Sequence, residues 1–151
     1  MSLTTENEPL KLFQTFLDEN WVDEILFPKP ELYVANDSTE AIQRLDITSN
    51  DAIVISPGSN DKITMRGNWV YYDRLFDISI LVQTSDSRQR AMNLTKEVRA
   101  ICFIYKYVFP GWQRVKYLGR REYVNTDLNI WRTEINIQLE NYAILAETTL
   151  L

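Results

Sequence analysis

Apolar residues recur every three or four positions in two segments of the chain and every second position in others, so helix and strand periods follow one another along it. Leu10, Phe13, Leu17 and Trp21, with Leu12 and Phe16 beside them, form one broad apolar face and predict a helix from about Glu8 to Trp21. Thr5 followed by Glu8 has capping-box spacing, and Pro9 is tolerated in a first turn. FPKPELYV cannot continue that helix and reads as a linker, because Pro28 and Pro30 remove donors and extend the residues before them. Asp37 with Glu40 three residues on predicts a short helix over TEAIQRL.

Strand signals follow. AIVIS (52–56) is a short apolar run, closed by the turn chemistry of Pro57-Gly58-Ser59-Asn60-Asp61, and KITMR comes after it, as in a hairpin or a long loop. From Trp69 to Gln83 the chain is strand-like, and Phe76, Ile78, Ile80 and Val82 alternate with Asp77, Ser79, Leu81 and Gln83. The period then changes. Ser85, Asp86 and Ser87 are candidate N-caps for a helix whose stripe is Ala91, Leu94, Thr95, Val98, Ile101, Cys102 and Tyr105, with Arg88, Arg90, Lys96 and Arg99 mostly off it. Pro110-Gly111 ends that helix, and two strands follow, WQRVKYL and then Ile130 to Tyr142. In the last, Trp131, Thr133, Ile135, Ile137 and Leu139 alternate with polar residues. AETTLL, at 146–151, has no pattern of its own and reads either as a frayed tail or as a contact arm. The expected fold is α+β, a two-layer sandwich with a mainly antiparallel sheet and helices packed on one face. It forms one domain over 1–151: an N-terminal helix region (1–26), an acidic linker with a short helix and first strand (27–61), and the core sheet with its main helix (62–145).

Composition narrows the chemistry. At 151 residues the chain can bury enough surface to fold without a metal or disulfide staple. It has no histidine and only Cys102, which excludes a disulfide framework, a Cys/His zinc site and His-dependent nucleophiles within the chain. MSLTTENEPLKLF does not resemble a secretory signal, and no apolar run approaches membrane-spanning length, so a reducing, cytoplasm-like compartment is expected and no membrane partner. The net charge of −5 is unevenly spread: residues 1–61 carry 12 Asp/Glu and 3 Lys/Arg, whereas residues 62–151 carry 9 and 13. Such charges either mix in space once the chain folds or form a head-to-tail contact between copies.

Candidate sites are few. The four glycines, at 58, 67, 111 and 119, match no phosphate-cradling spacing. Asp18-Glu19 and Asp23-Glu24 are carboxylate pairs in an acidic stretch, best explained as solvated charge and assigned no catalysis or metal. Cys102 falls in the apolar stripe, as a structural thiol does. Arg114, Lys116, Arg120 and Arg121, set among Trp112, Tyr117 and Tyr123, form the densest basic group. It suits a protein interface, with nucleic-acid binding as the other reading. Trp69, with Tyr71 and Tyr72, is either sheet core or a contact anchor at a hairpin tip. No cofactor is implied.

The strand-turn-helix from Arg74 to Ile104, FDISILVQTSDSRQRAMNLTKEVRAI within it, and the closing strand WRTEINIQLENY resemble the tail terminator (tail completion) proteins of long-tailed bacteriophages and related archaeal viruses. The resemblance covers most of the chain and rests on element order, since that family has no catalytic signature. It implies a non-enzymatic virion protein, made in the host cytoplasm, that assembles as a ring of usually six copies. The ring caps the tail tube, stops its polymerisation and joins the tail to the neck, with DNA passing through without sequence-specific binding. The implied partners are further copies of the chain, the tail tube protein and a neck or head-completion protein; a neck protein is the alternative within the same class. On charge, Arg114, Lys116, Arg120, Arg121 and Trp112 are expected in a subunit or tube contact, with Asp18, Glu19, Asp23 and Glu24 as a complementary surface or an acidic channel wall.

Overall fold

The computed structural model describes residues 8–22, 29–46, 51–67, 70–125 and 129–145. In chain order the elements are α1 (Glu8–Asn20), β1 (Glu31–Val34), α2 (Ser38–Asp46), β2 (Ala52–Arg66), β3 (Tyr71–Thr84), α3 (Arg88–Ile104), β4 (Arg114–Asn125) and β5 (Ile130–Leu145). The five strands make one sheet in the order β1-β2-β3-β5-β4. Every neighbouring pair is antiparallel except β1 with β2. The fold is thus α+β with a mainly antiparallel sheet, as the alternation predicts.

Two-residue alternation decides which side of each strand is dry. Ile53 and Ile55 on β2, Phe76, Ile78, Ile80 and Val82 on β3, and Ile135, Ile137 and Leu139 on β5 share one buried cluster with α1 and α3. α1 supplies Leu10, Phe13, Phe16 and Leu17, with Trp21 just after it, and α3 supplies Leu94, Val98, Ile101 and Cys102. Each such fully buried side chain contributes roughly 1.5–3 kcal/mol relative to exposure. The Ser87 hydroxyl caps α3 by accepting from the Arg90 N–H at 3.0 Å.

The second face is not bare. Ala52, Val54 and Leu81 alternate out of the main core and meet Ala41 and Leu45 of α2, so the short helix covers the opposite face at one end of the sheet. Asp37 caps α2, its Oδ1 accepting the Glu40 N–H at 2.8 Å, while the Glu40 carboxylate accepts the Asn36 N–H at 3.0 Å. Beyond α2 that face is polar. The row Arg132, Glu134, Asn136, Gln138 and Glu140 of β5 runs along it opposite the apolar row of the same strand.

Four expectations are corrected. The helices do not all pack on one face, since α2 covers the face opposite to α1 and α3. ELYV is not linker but β1, a parallel strand whose residues Glu31 to Val34 pair with Ala52 to Ile55. Pro30 precedes the strand, so it removes no ladder donor from it. PGSND does not turn the chain: β2 runs through it, with the register against β3 shifting between Pro57 and Asp61. The extra residues are taken up as a bulge. Arg90, expected off the apolar stripe, is buried, because its guanidinium is drawn to Asp51 at 2.7 Å. The Thr5 cap, the Trp69 start of the long strand and the 146–151 tail lie outside the described residues.

Candidate interaction surface

β4 is an edge strand, paired on one side only by β5, and it carries the densest basic group of the chain. Register fixes where each cation stands. Arg114 pairs with Glu140 and Lys116 with Gln138, on the polar face of the sheet. The register then shifts between Tyr117 and Gly119, so Arg121 pairs with Glu134 and stays on that face, while Arg120 pairs with Ile135 and falls on the helix-bearing side. Arg120 there reaches Glu122 at 2.9 Å, which Arg88 of α3 also meets at 3.5 Å. Among the described residues Arg114 and Lys116 make no ion pair, and both are exposed.

Trp112 stands just before β4, half-buried, with its ring 6.2 Å from Phe76 and the Arg74 guanidinium 5.4 Å from its centroid. Arg74 in turn binds Asp61 through two contacts of 3.1 Å. At the far edge, Asp18 and Glu19 are exposed on the last turn of α1, Asp18 paired with Lys29 at 2.7 Å. Trp69, Asp23 and Glu24 lie outside the described residues. The basic group of β4 and the acidic pair of α1 are therefore not brought together. They occupy opposite ends of the layer, since α1 packs on β1 and β2 while β4 closes the other edge.

One concave feature lies on the polar face, a cleft of about 490 Å³ between the bulges of β2 and β4, whose lining includes Ser59, Asp77, Leu118, Arg121, Glu134 and Asn136. Its buried carboxylate, Asp77, already accepts from Gln138 at 2.9 Å and Asn60 at 3.1 Å, with Ser59 at 3.5 Å. Those donors make Asp77 a fastener for the β2 bulge. Among the described residues no group of three or more His, Cys, Asp or Glu is placed to hold a metal ion. Cys102 is buried, and burial pushes its thiol up to about 12, which leaves it protonated and unreactive at neutral pH. No helix among the described residues is long and apolar enough to cross a membrane.

An apolar patch went unread in the sequence. Phe103, Ile104, Tyr107 and Val108, at the end of α3 and just after it, are all more than half exposed. They lie against β4, since the Phe103 and Tyr117 rings are 5.7 Å apart and the Val115 N–H donates to Lys106 O at 2.8 Å. The available signal was periodic: the buried stripe ends at Ile101 and Cys102, so the next two apolar residues point away from it.

No protein-family model matches the chain, and no curated protein matches it. Among solved structures, a chain described as "Virion of native gene transfer agent (GTA) particle" aligns over 84% of this chain and 92% of its own, at 12% identity and a TM-score of 0.54. A second solved chain aligns over 86% of this chain and 93% of its own at 11% identity, with a TM-score of 0.43. The five-stranded sheet with its three helices is thus a fold that this chain has in common with a component of a gene transfer agent virion.

Proposed function

We propose that the protein is a structural component of a phage-like virion and, within that class, a tail terminator: a ring of copies that caps the tail tube, stops its growth and joins it to the neck. The observation that carries the reading is the fold held in common, over 84% of this chain, with a chain of a gene transfer agent virion. Three features of the chain support it. The one cysteine is inert and no metal-ligand cluster stands among the described residues. The sheet ends on β4, an edge strand rich in cations. Apolar side chains stand exposed beside that edge, as a surface awaiting a partner does.

The test is the mass of the purified protein by light scattering over a range of protein and salt concentrations, alone and with the tail tube protein of the same virus. A discrete assembly several times the 17.8 kDa chain mass, formed alone or on the tube, supports the terminator. A discrete assembly that ignores the tube but binds a neck or portal component points to the neck protein instead. A monomer that ignores the tube and binds DNA with steep salt dependence refutes the virion reading.

A further inference from the structure

We infer that the β4 edge of one copy docks onto the α1–β1–α2 flank of the next, a head-to-tail contact between copies with exposed apolar residues at its centre and opposite charges around it. The inference rests on the ring reading above and specifies which surfaces make the ring.

The fold keeps the charges apart. Glu19, Glu31, Asp37 and Glu40 are exposed on the α1, β1 and α2 flank, where Asp18 and Asp46 are also found. Arg114, Lys116, Arg120 and Arg121 stand on β4, with Lys96, Arg99 and Lys106 on or just after the neighbouring α3. In the strand order β1-β2-β3-β5-β4 the carboxylate of Glu31 on β1 and the cations of β4 are separated by the full width of the sheet, about 19 Å at the usual strand spacing. That exceeds the Debye length of about 8 Å at physiological salt. Within one copy Asp18 and Asp46 are already paired, with Lys29 and Arg132, but Glu31 on β1 does not reach the β4 cations, whereas a second copy placed edge to flank brings the two surfaces into contact.

Both edges are blunted against another strand: on β1 the Gln14 side chain of α1 donates to Leu32 O at 2.8 Å, and on β4 the Val115 N–H donates to Lys106 O at 2.8 Å. The flank therefore offers side chains, including the exposed Ile42 of α2 among its carboxylates. At β4 the apolar centre is Phe103, Ile104, Tyr107 and Val108. An apolar core with a charged rim is how protein interfaces are composed. Because the two surfaces differ, the contact is heterologous and repeats from copy to copy, closing a ring when the rotation allows.

The experiment uses two full-length variants, Lys116→Glu/Arg120→Glu on the β4 edge and Glu19→Lys/Glu31→Lys on the flank, with folding checked by circular dichroism. Each variant alone presents like charges on both surfaces, and the concentration needed for assembly is expected to rise at least about a hundredfold. Mixed in equal amounts they restore complementarity at every contact of an alternating assembly, so the mixture is expected to recover the wild-type mass. Two results overturn the docking mode while leaving the ring intact: variants that each assemble like wild type, or a mixture that fails to recover assembly when wild type assembles. A wild-type chain that stays monomeric, with or without the tube protein, overturns the ring and this contact together.

Discussion

Cys102 illustrates how one position reports on the core around it. Its thiol is 1% exposed and raised to about 12 by burial alone. A thiol-specific reagent at pH 8 is therefore expected to leave the native protein unlabelled and to modify one site per chain once urea unfolds it; labelling in native buffer contradicts the packing. Asp51 carries more energy. It accepts from Thr84 at 2.6 Å and from Arg90 at 2.7 Å, tying the start of β2 to the end of β3 and the first turn of α3. Breaking a buried pair costs about 3–5 kcal/mol. Because the Asp51 side chain keeps a quarter of its exposure, Asp51→Ala is expected to cost about 2–3 kcal/mol in urea unfolding. A change below 0.5 kcal/mol would falsify this role. Neither Asp51 nor Arg90 stood out in the sequence, because a charge on a helix pattern gives no sign that its partner lies 39 positions away.

The elements differ in how much of them was legible. α3 was readable as an element, since a Ser N-cap and a six-residue buried stripe agree, but it ends at Ile104, six residues before the Pro110-Gly111 stop that the sequence offered. β5 was readable because a sheet dry on one face forces strict alternation. β2 was misread at PGSND, where local turn chemistry lost to long-range pairing. Asp77 of β3 reaches across to Ser59 and Asn60 and holds the irregular backbone in the sheet. Gly58 permits the approach: a Cβ there would sit 2.7 Å from Asp77 Cβ and 2.9 Å from its carbonyl carbon. Gly58→Ala is accordingly expected to lose about 1–3 kcal/mol, read from the urea midpoint, and an unchanged midpoint would mean that the bulge tolerates a side chain. The candidate surface was half legible. Charge composition picked out β4, but the bulge that puts Arg121 rather than Arg120 on the face of Lys116, and the exposure of Ile104 and Val108, follow from register and helix ending, which the sequence alone does not fix.

For the whole molecule, the absence of histidine has a direct consequence. No side chain of ordinary pKa changes charge between about pH 6 and pH 8, so the melting temperature is expected to be flat there. Two shifts bound the plateau. At the acid end, the Arg66 guanidinium beside Asp73 and the Ala143 N–H hold that carboxyl below its usual range. Its contribution is present above the ordinary carboxylate pKa and is lost as pH falls through the depressed one. At the alkaline end, the Cys102 thiol is raised from 9.0 to about 12 and the Tyr117 phenol is raised by burial. Groups raised on folding stabilise fully below their unfolded values and lose that contribution as pH climbs through the folded ones. Melting curves from pH 5 to 11 should show a plateau followed by a fall beginning near pH 9, with a shallower fall in Cys102→Ala; a melting temperature that climbs above pH 9 contradicts the assignment. The strand order adds a constraint of a different kind. β5 is the last strand among the described residues and follows β4 in sequence, yet it lies inside the sheet between β3 and β4. During synthesis, β3 and β4 emerge from the ribosome with the slot between them empty, and the sheet closes only when its final strand arrives. Folding therefore follows translation, and until then the unpaired edges of β3 and β4 are the part of the nascent chain that most needs shielding from its neighbours on the same message.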